Sequence, residues 1–357
     1  MAYTNIDDPS AHFQIATYTG DGSTSLAITN DGNSDLKPDL AWVKRRDSGA
    51  NHNLFDSSRG ATTMLYSDLS NAEYTNSQSL KTFNTDGFTL GNYGTVNAGS
   101  GTFVAWQWKA NGGTTVSNTD GTITSTVQAN QDAGFSIITY TGNGTQSGQT
   151  VGHGLGAVPK MIISKDRNNT SNVTSWRVYH EGIGNTKYLE LQSAAAQSTY
   201  NDWDNTTPTS SVYSVGGAGG YTATNTNLAS YLAYVFADVQ GYSKFGKYVG
   251  NGSADGPFVY TGFKPAFLIM KRTDSTGAWH IFDNKRSGYN YANDVLQADA
   301  TAAELSGQTY QFVDFLSNGF KNRRTTHGPN ISGGTYIYMA FAENPFVTST
   351  GVPTTAR

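Results

Sequence analysis

The chain contains no cysteine. That excludes a disulfide framework and any zinc site built on thiolates. No apolar run reaches the roughly 18 residues a membrane-spanning helix requires. The opening stretch "MAYTNIDDPSAHF" has no basic segment followed by an apolar one, so it does not read as a secretory leader. Charge is scarce as well, at 14% of residues against a usual share of about 25%. With a net charge of −4, the chain lacks the basic surface of a general nucleic-acid binder. Two small basic clusters, Lys44–Arg46 and Lys321–Arg324, read as strand ends or subunit contacts.

Turn-formers and aromatics are abundant instead: 40 Gly, 21 Tyr and 17 Phe in 357 residues. Such a composition favours short strands joined by tight turns. Segments also recur. "QIATYTGDGS" (14–23) and "SIITYTGNGT" (136–145) are nearly the same, and "KYVGNGS" (247–253) is a fainter copy. Each is followed by a proline and an apolar strand: "KPDLAWVKRR", "VPKMIISKDR" and "KPAFLIMKRT". Aligned on Pro38, Pro159 and Pro265, the copies place Leu40, Met161 and Phe267 two residues on. Trp42, Ile163 and Ile269 follow at four, and Lys44, Lys165 and Lys271 at six. Residues two apart share a strand face, so these even positions are expected to be buried and then to leave for solvent at the lysine.

Next come "HNLFD", "WRVYH" and "WHIFD", with Trp176 and Trp279 corresponding to His52. Each copy closes on an aromatic strand, "FVAWQWKA", "YLAYVFAD" or "YIYMAFAE", in which Trp106, Tyr234 and Met339 correspond and are expected in the core. A period of about 105–125 residues is too long for a solenoid and fits a whole sandwich domain. The predicted fold is all-β: three tandem antiparallel β-sandwich, jelly-roll-like domains over residues 1–112, 113–239 and 240–357. The polar stretch Ala110–Gly121 reads as a linker, and "YANDVLQADATAAELSG" (291–307) as one or two helical turns.

Catalytic patterns are sparse. "GGAGG" (216–220) lacks the helix and lysine of a phosphate loop, and the six histidines show no metal-binding spacing. His153 reads as a local hydrogen-bonding residue. Asp202 and Asp204 flank Trp203, but carboxyls two residues apart suit glycoside hydrolysis poorly. No cofactor is expected; calcium is the cation that glycine-flanked oxygens such as those in "TGDGS" would suit. Tyr200, Trp203, Tyr213 and Tyr221 fall in polar surroundings. Exposed rings beside carboxylates and amides suit sugar stacking. The carbohydrate-binding candidates are therefore Tyr200, Asp202, Trp203 and Asp204.

The repeat segments, above all "GFSIITYTGNGTQSGQTVGHGLGAVPKMIISKDR", "SWRVYH" and "GGTYIYMAFAENPF", resemble a repeat domain of marine bacteriophage virion proteins. Those domains are held to be similar to concanavalin-like or laminin-G-like jelly rolls, which often bind glycans. The resemblance implies a non-enzymatic virion protein, assembled in the host cytoplasm alongside other virion proteins. A tail fibre or receptor-binding adhesin for host-surface glycans is the leading expectation. Capsid decoration and a glycan-depolymerising tail enzyme are the alternatives. No nucleic-acid partner and no membrane insertion are expected. A homotrimer is expected, with the N-terminal segment Met1–Phe13 docking on a neighbouring subunit.

Overall fold

The computed structural model describes residues 2–169, 175–217, 223–307, 313–325 and 328–354. Its architecture follows from the repeated turn. In each copy the turn is pinned by one buried asparagine from just before the closing strand: Asn97, Asn225 or Asn330. The Asn97 carbonyl accepts the Asp21 N–H at 2.9 Å, that of Asn225 accepts Asn143 N–H at 2.9 Å, and that of Asn330 accepts Asn251 N–H at 2.9 Å. Their amide groups donate back to the turn, to Ser23 O, Thr145 O and Ser253 O respectively. The tyrosine of the repeated motif adds a second lock. Tyr18, Tyr140 and Tyr248 each donate to the carbonyl of the residue before that asparagine, at 2.6–2.7 Å. Each also stacks on the first aromatic of the closing strand, Phe103, Tyr231 or Tyr336, at 5.0–5.1 Å. One strand and turn is thus spelled three times because three equivalent corners need the same polar clamp.

The chain is all-β, built of antiparallel sandwiches. In the first repeat the main sheet runs Phe13–Thr19, Thr102–Trp108, Leu40–Arg45, Asn53–Asp56, Thr63–Tyr66, Tyr74–Thr75. The third repeat has the same order: Ser243–Val249, Thr335–Pro345, Phe263–Arg272, Trp279–Asp283, Leu296–Gln297. So does the second, with Phe135–Thr141, Ser230–Phe236, Met161–Asp166, Arg177–His180, Lys187–Glu190 and Ser198–Thr199. Two further strands, Ser125–Asn130 and Val116–Asn118, extend it beyond Phe135–Thr141. The linker-like stretch Ala110–Gly121 therefore contributes a strand. A smaller sheet covers one face of each main sheet, such as Leu26–Ile28, Phe88–Leu90 and Leu80–Phe83 in the first repeat. No helix forms over the described part of 291–307, which holds the strand Leu296–Gln297.

The two faces of each main sheet go to different cores. Ala41, Ile162 and Leu268 face three separate cores beneath the small sheets. Trp42, Ile163 and Ile269, one residue on, all join a single core shared by the three repeats. Trp106, Tyr234 and Met339 lie in that core, together with Trp108, Phe236, Phe267 and Phe341. The three repeats share this core, and each packs against the next.

The seams repeat too. Glu73 N–H donates to Arg167 O at 2.7 Å, Gln197 N–H to Thr273 O at 2.9 Å, and Glu304 N–H to Arg46 O at 2.7 Å, closing a cycle of first, second and third repeats. Two of these seams add forked ion pairs, Arg167–Glu73 and Arg46–Glu304. In the shared core Trp106 Nε1 donates to Asp283 at 2.9 Å, and the Tyr234 hydroxyl to Asp56 at 2.9 Å. Each aspartate is also held by a buried arginine, Arg286 or Arg59. Where Met339 offers no donor, the second repeat has His180 and Ile183 in place of the Asp–Arg pair. At these three equivalent positions the carboxylate is present only where a donor and a cation satisfy it.

Two expectations are corrected here. Lys44, Lys165 and Lys271 do not reach solvent; all three are buried, because the neighbouring repeat or a local loop closes over the strand end. Lys271 Nζ donates to Ala194 O, Ala195 O, Arg272 O and Gly277 O at 2.7–3.0 Å, and Lys44 Nζ reaches Thr301 O at 3.2 Å. Burial pushes all three ammonium groups down to about 8. The N-terminal segment docks within its own chain: the Tyr3 hydroxyl donates to Gly262 O, Ile6 enters the shared core, and Asp7 accepts from Ser349.

Candidate functional site

The second-repeat candidates do not form an accessible sugar site. Trp203 is buried and packs edge-on against Tyr179, at 5.8 Å and 70°. Its face is therefore closed to stacking. Asp202 is fully buried, with Oδ2 3.2 Å from Arg177 Nε, and burial raises its pKa to about 6 against the opposing pull of that arginine. Asp204 is half-buried and accepts from Gly148 N–H at 2.6 Å. Tyr200 is half-buried, and Tyr213 is buried. The loop folds back over the sandwich, which an extended reading of "TYNDWDN" does not foresee. Tyr221 and residues 218–220 of the glycine run lie outside the described residues. His153 has the local role expected of it: Nε2 lies 3.1 Å from Thr209 O, and Nδ1 accepts from Leu155 N–H. Among the described residues no group of three or more His, Asp or Glu could hold a metal ion. In "TGDGS", Asp21 Oδ1 instead accepts the Ser23 N–H and an Asn97 N–H.

Exposed aromatic rings collect in the third repeat. Phe258, Tyr260, Tyr289 and Tyr291 are 47%, 55%, 91% and 56% exposed; in the described parts of the first two repeats only Tyr74 compares. Their placement follows from alternation. In the strand Phe258–Tyr260 the central Val259 enters the third repeat's own core, so both flanking rings point out. That strand pairs with Gly319–Asn322, which pairs with Val313–Leu316, with Ala292 bridging Val313 beyond. The register puts Phe258 opposite Lys321, Lys321 opposite Asp314, and Tyr291 next to Asp314 on the far side. Phe258 and Tyr291 thus bracket a charged row three strand spacings wide, roughly 14–15 Å.

The row between the rings is ionic. Arg323 Nε donates to Asp314 at 2.5 Å, and Lys321 pairs with Asp255. The hydrogen bond and charge of Lys321 hold Asp255 below the usual carboxylate range. Asn290, between Tyr289 and Tyr291, is fixed by two hydrogen bonds to the backbone of Phe315. It opens onto a cleft of about 940 Å³ at the end of the same sheet, lined also by Lys264, Asn318, Glu343 and Thr354. The rings and Asp255 face solvent, Lys321 and Arg323 are half-buried, and Asp314 is buried beneath them. Such a surface can bind a polar ligand with flat apolar faces. The sequence carries a signal for it: the small-sheet strands read "LAI" and "QTVG" in the first two copies but "FVY" in the third.

The profile of one family, a domain of unknown function (DUF7483), matches residues 8–345. The chain belongs to this family. The match spans all three repeats as one unit, as the shared core does. No curated protein and no solved structure matches the chain.

Proposed function

We propose that this DUF7483 protein is a non-enzymatic bacteriophage virion protein whose third repeat binds host-surface glycan, as a tail-fibre or receptor-binding adhesin. The observation that carries the binding reading is the pair of exposed rings Phe258 and Tyr291, set three strand spacings apart on the small sheet with the half-buried Lys321 between them. Pyranose rings stack on exposed aromatics, while the half-buried cations Lys321 and Arg323 between the rings bond hydroxyls. The place in a virus particle rests on the resemblance of the repeat segments. The depolymerising alternative has less support, because Asp202 of its carboxylate pair is fully buried.

A shallow site of this kind binds weakly, at about millimolar to micromolar, or roughly −4 to −8 kcal/mol. Several copies, as in the expected homotrimer, would raise avidity about 10²–10⁴-fold. The test is a host-polysaccharide array probed with the full chain and with Phe258→Ala and Tyr291→Ala. Both variants should stay within about 0.5 kcal/mol of wild-type stability, since the rings are exposed, yet lose binding. Binding unchanged in both variants would refute the site. No binding to any polysaccharide would favour the capsid-decoration alternative.

A further inference from the structure

The seam between the third and first repeats holds a cavity of about 260 Å³ lined by Phe13, Gln14, Ile15, Ala266, Asn284, Lys285, Glu343 and Asn344, among others. Internal symmetry identifies what this cavity is. Carried to the seam between the first and second repeats, Asn284, Lys285 and Asn344 correspond to Ser57, Ser58 and Asn111, and Phe13–Ile15 to Phe135–Ile137. There the space is filled by Gln128. Its amide donates to Ser57 Oγ at 3.0 Å and Ser58 Oγ at 2.9 Å, and its carbonyl accepts Asn111 N–H at 3.3 Å and Gly113 N–H at 2.7 Å. Gln128 arrives on the strand Ser125–Asn130, which pairs along all of its six residues with Phe135–Tyr140.

The edge that accepts this strand in the second repeat has a near copy in the first. "FQIATYT" (13–19) differs from "FSIITYT" (135–141) only at Gln14/Ser136 and Ala16/Ile138. Phe13–Thr19 pairs with Thr102–Trp108 on one side and, among the described residues, has no strand on the other. The third repeat's equivalent edge, Ser243–Val249, carries Lys244 and Lys247, and edge lysines oppose pairing. Phe13–Thr19 carries no charge. At the cavity mouth lies the exposed ion pair Lys285–Asp31, and beside it the buried Gln14 donates to Ser10 O and Ser34 O and accepts the Gly32 N–H, so an entering strand must pack against this loop.

We propose that the edge Phe13–Thr19 and its adjoining cavity accept an extended peptide strand from a partner protein, antiparallel to Phe13–Thr19, with a glutamine-like side chain entering the cavity beside Ile15. The chain's own strand Ser125–Asn130 shows the chemistry: a β-branched residue facing the small sheet, and an amide two positions before an asparagine. The accepting edge belongs to the first repeat and not to the aromatic face, although the cavity and the cleft beside that face share Glu343 and Asn344.

The probe is a synthetic peptide of residues 121–131, GTITSTVQANQ, added to the full chain, with amide hydrogen exchange followed by mass spectrometry. The peptide should slow exchange in 13–19 of wild type. Thr17→Lys puts at this edge the residue that the third repeat already carries as Lys247, so folding should tolerate it. It should weaken the effect at least about tenfold, as should a peptide with Gln128→Ala. No slowing at millimolar peptide would overturn the proposal, as would equal slowing in Thr17→Lys. Slowing that instead rises with protein concentration in the absence of peptide would also overturn it, by making the occupant a second copy.

Discussion

Replacing Asn225 with alanine should destabilise the chain by about 2–4 kcal/mol. The side chain is fully buried and makes three hydrogen bonds to its turn: it accepts Asn143 N–H at 2.9 Å and donates to Asn143 Oδ1 at 2.8 Å and Thr145 O at 2.7 Å. Each is worth about 0.5–1.5 kcal/mol net, and those buried partners left unmatched add to the loss. Little volume is removed, so the cavity contribution is small beside the polar one. Asn97→Ala and Asn330→Ala remove equivalent clamps and should cost a similar amount. Asn227→Ala, at an exposed position two residues from Asn225, should stay within about 0.5 kcal/mol and serves as the control. Denaturant unfolding followed by tryptophan fluorescence reads all four. Losses below about 1 kcal/mol at all three buried asparagines would refute the claim that the repeated turn exists to be clamped.

Trp106→Phe and Tyr234→Phe keep most of the core volume but remove the hydrogen bonds to Asp283 and Asp56, so each should cost about 1–3 kcal/mol in the same assay. Met339→Leu, which breaks no such bond, should cost less than about 1.5 kcal/mol. Acid should destabilise the chain before its paired carboxylates titrate. Burial lowers His180 and His280 to about 4, so the unfolded chain takes up protons first as pH falls through 6.5. Stability should therefore drop between pH about 6.5 and 4, by roughly 3 kcal/mol per histidine. Asp202 opposes this in part: raised to about 6, it takes up its proton in the folded state first. Replacing His180 and His280 with glutamine should flatten the slope between pH 7 and 4 in a series of urea titrations; an unchanged slope would contradict the assignment.

Much of the fold was legible because three copies in one chain act as their own alignment. The proline, the two-residue alternation and the closing aromatics placed Trp42, Ile163 and Ile269 on equivalent strands and Trp106 in a core. Asn97, Asn225 and Asn330 went unread, although each stands six residues before the first closing aromatic and the alignment of the copies carries that signal. The fate of the lysines was not legible. Lys271 is solvated by backbone carbonyls of a loop more than seventy residues away, and backbone carries no residue signature. Nor was the burial of Trp203, since a polar loop folded over a sandwich and one standing clear of it have the same composition. The aromatic face was readable in part, as alternation around Val259. Its link to Tyr291 needed the register of three strands.

The central structural claim is that three repeats close on one shared core and fold as a unit, and differential scanning calorimetry tests it most directly. At about 0.7 kcal/mol per residue near 60 °C, the whole chain should unfold with an enthalpy of roughly 250 kcal/mol, and a single repeat with about 80. The account predicts one transition whose van't Hoff enthalpy approaches the full calorimetric value. Separate transitions, or a van't Hoff enthalpy near that of one repeat, would show independent domains and contradict it.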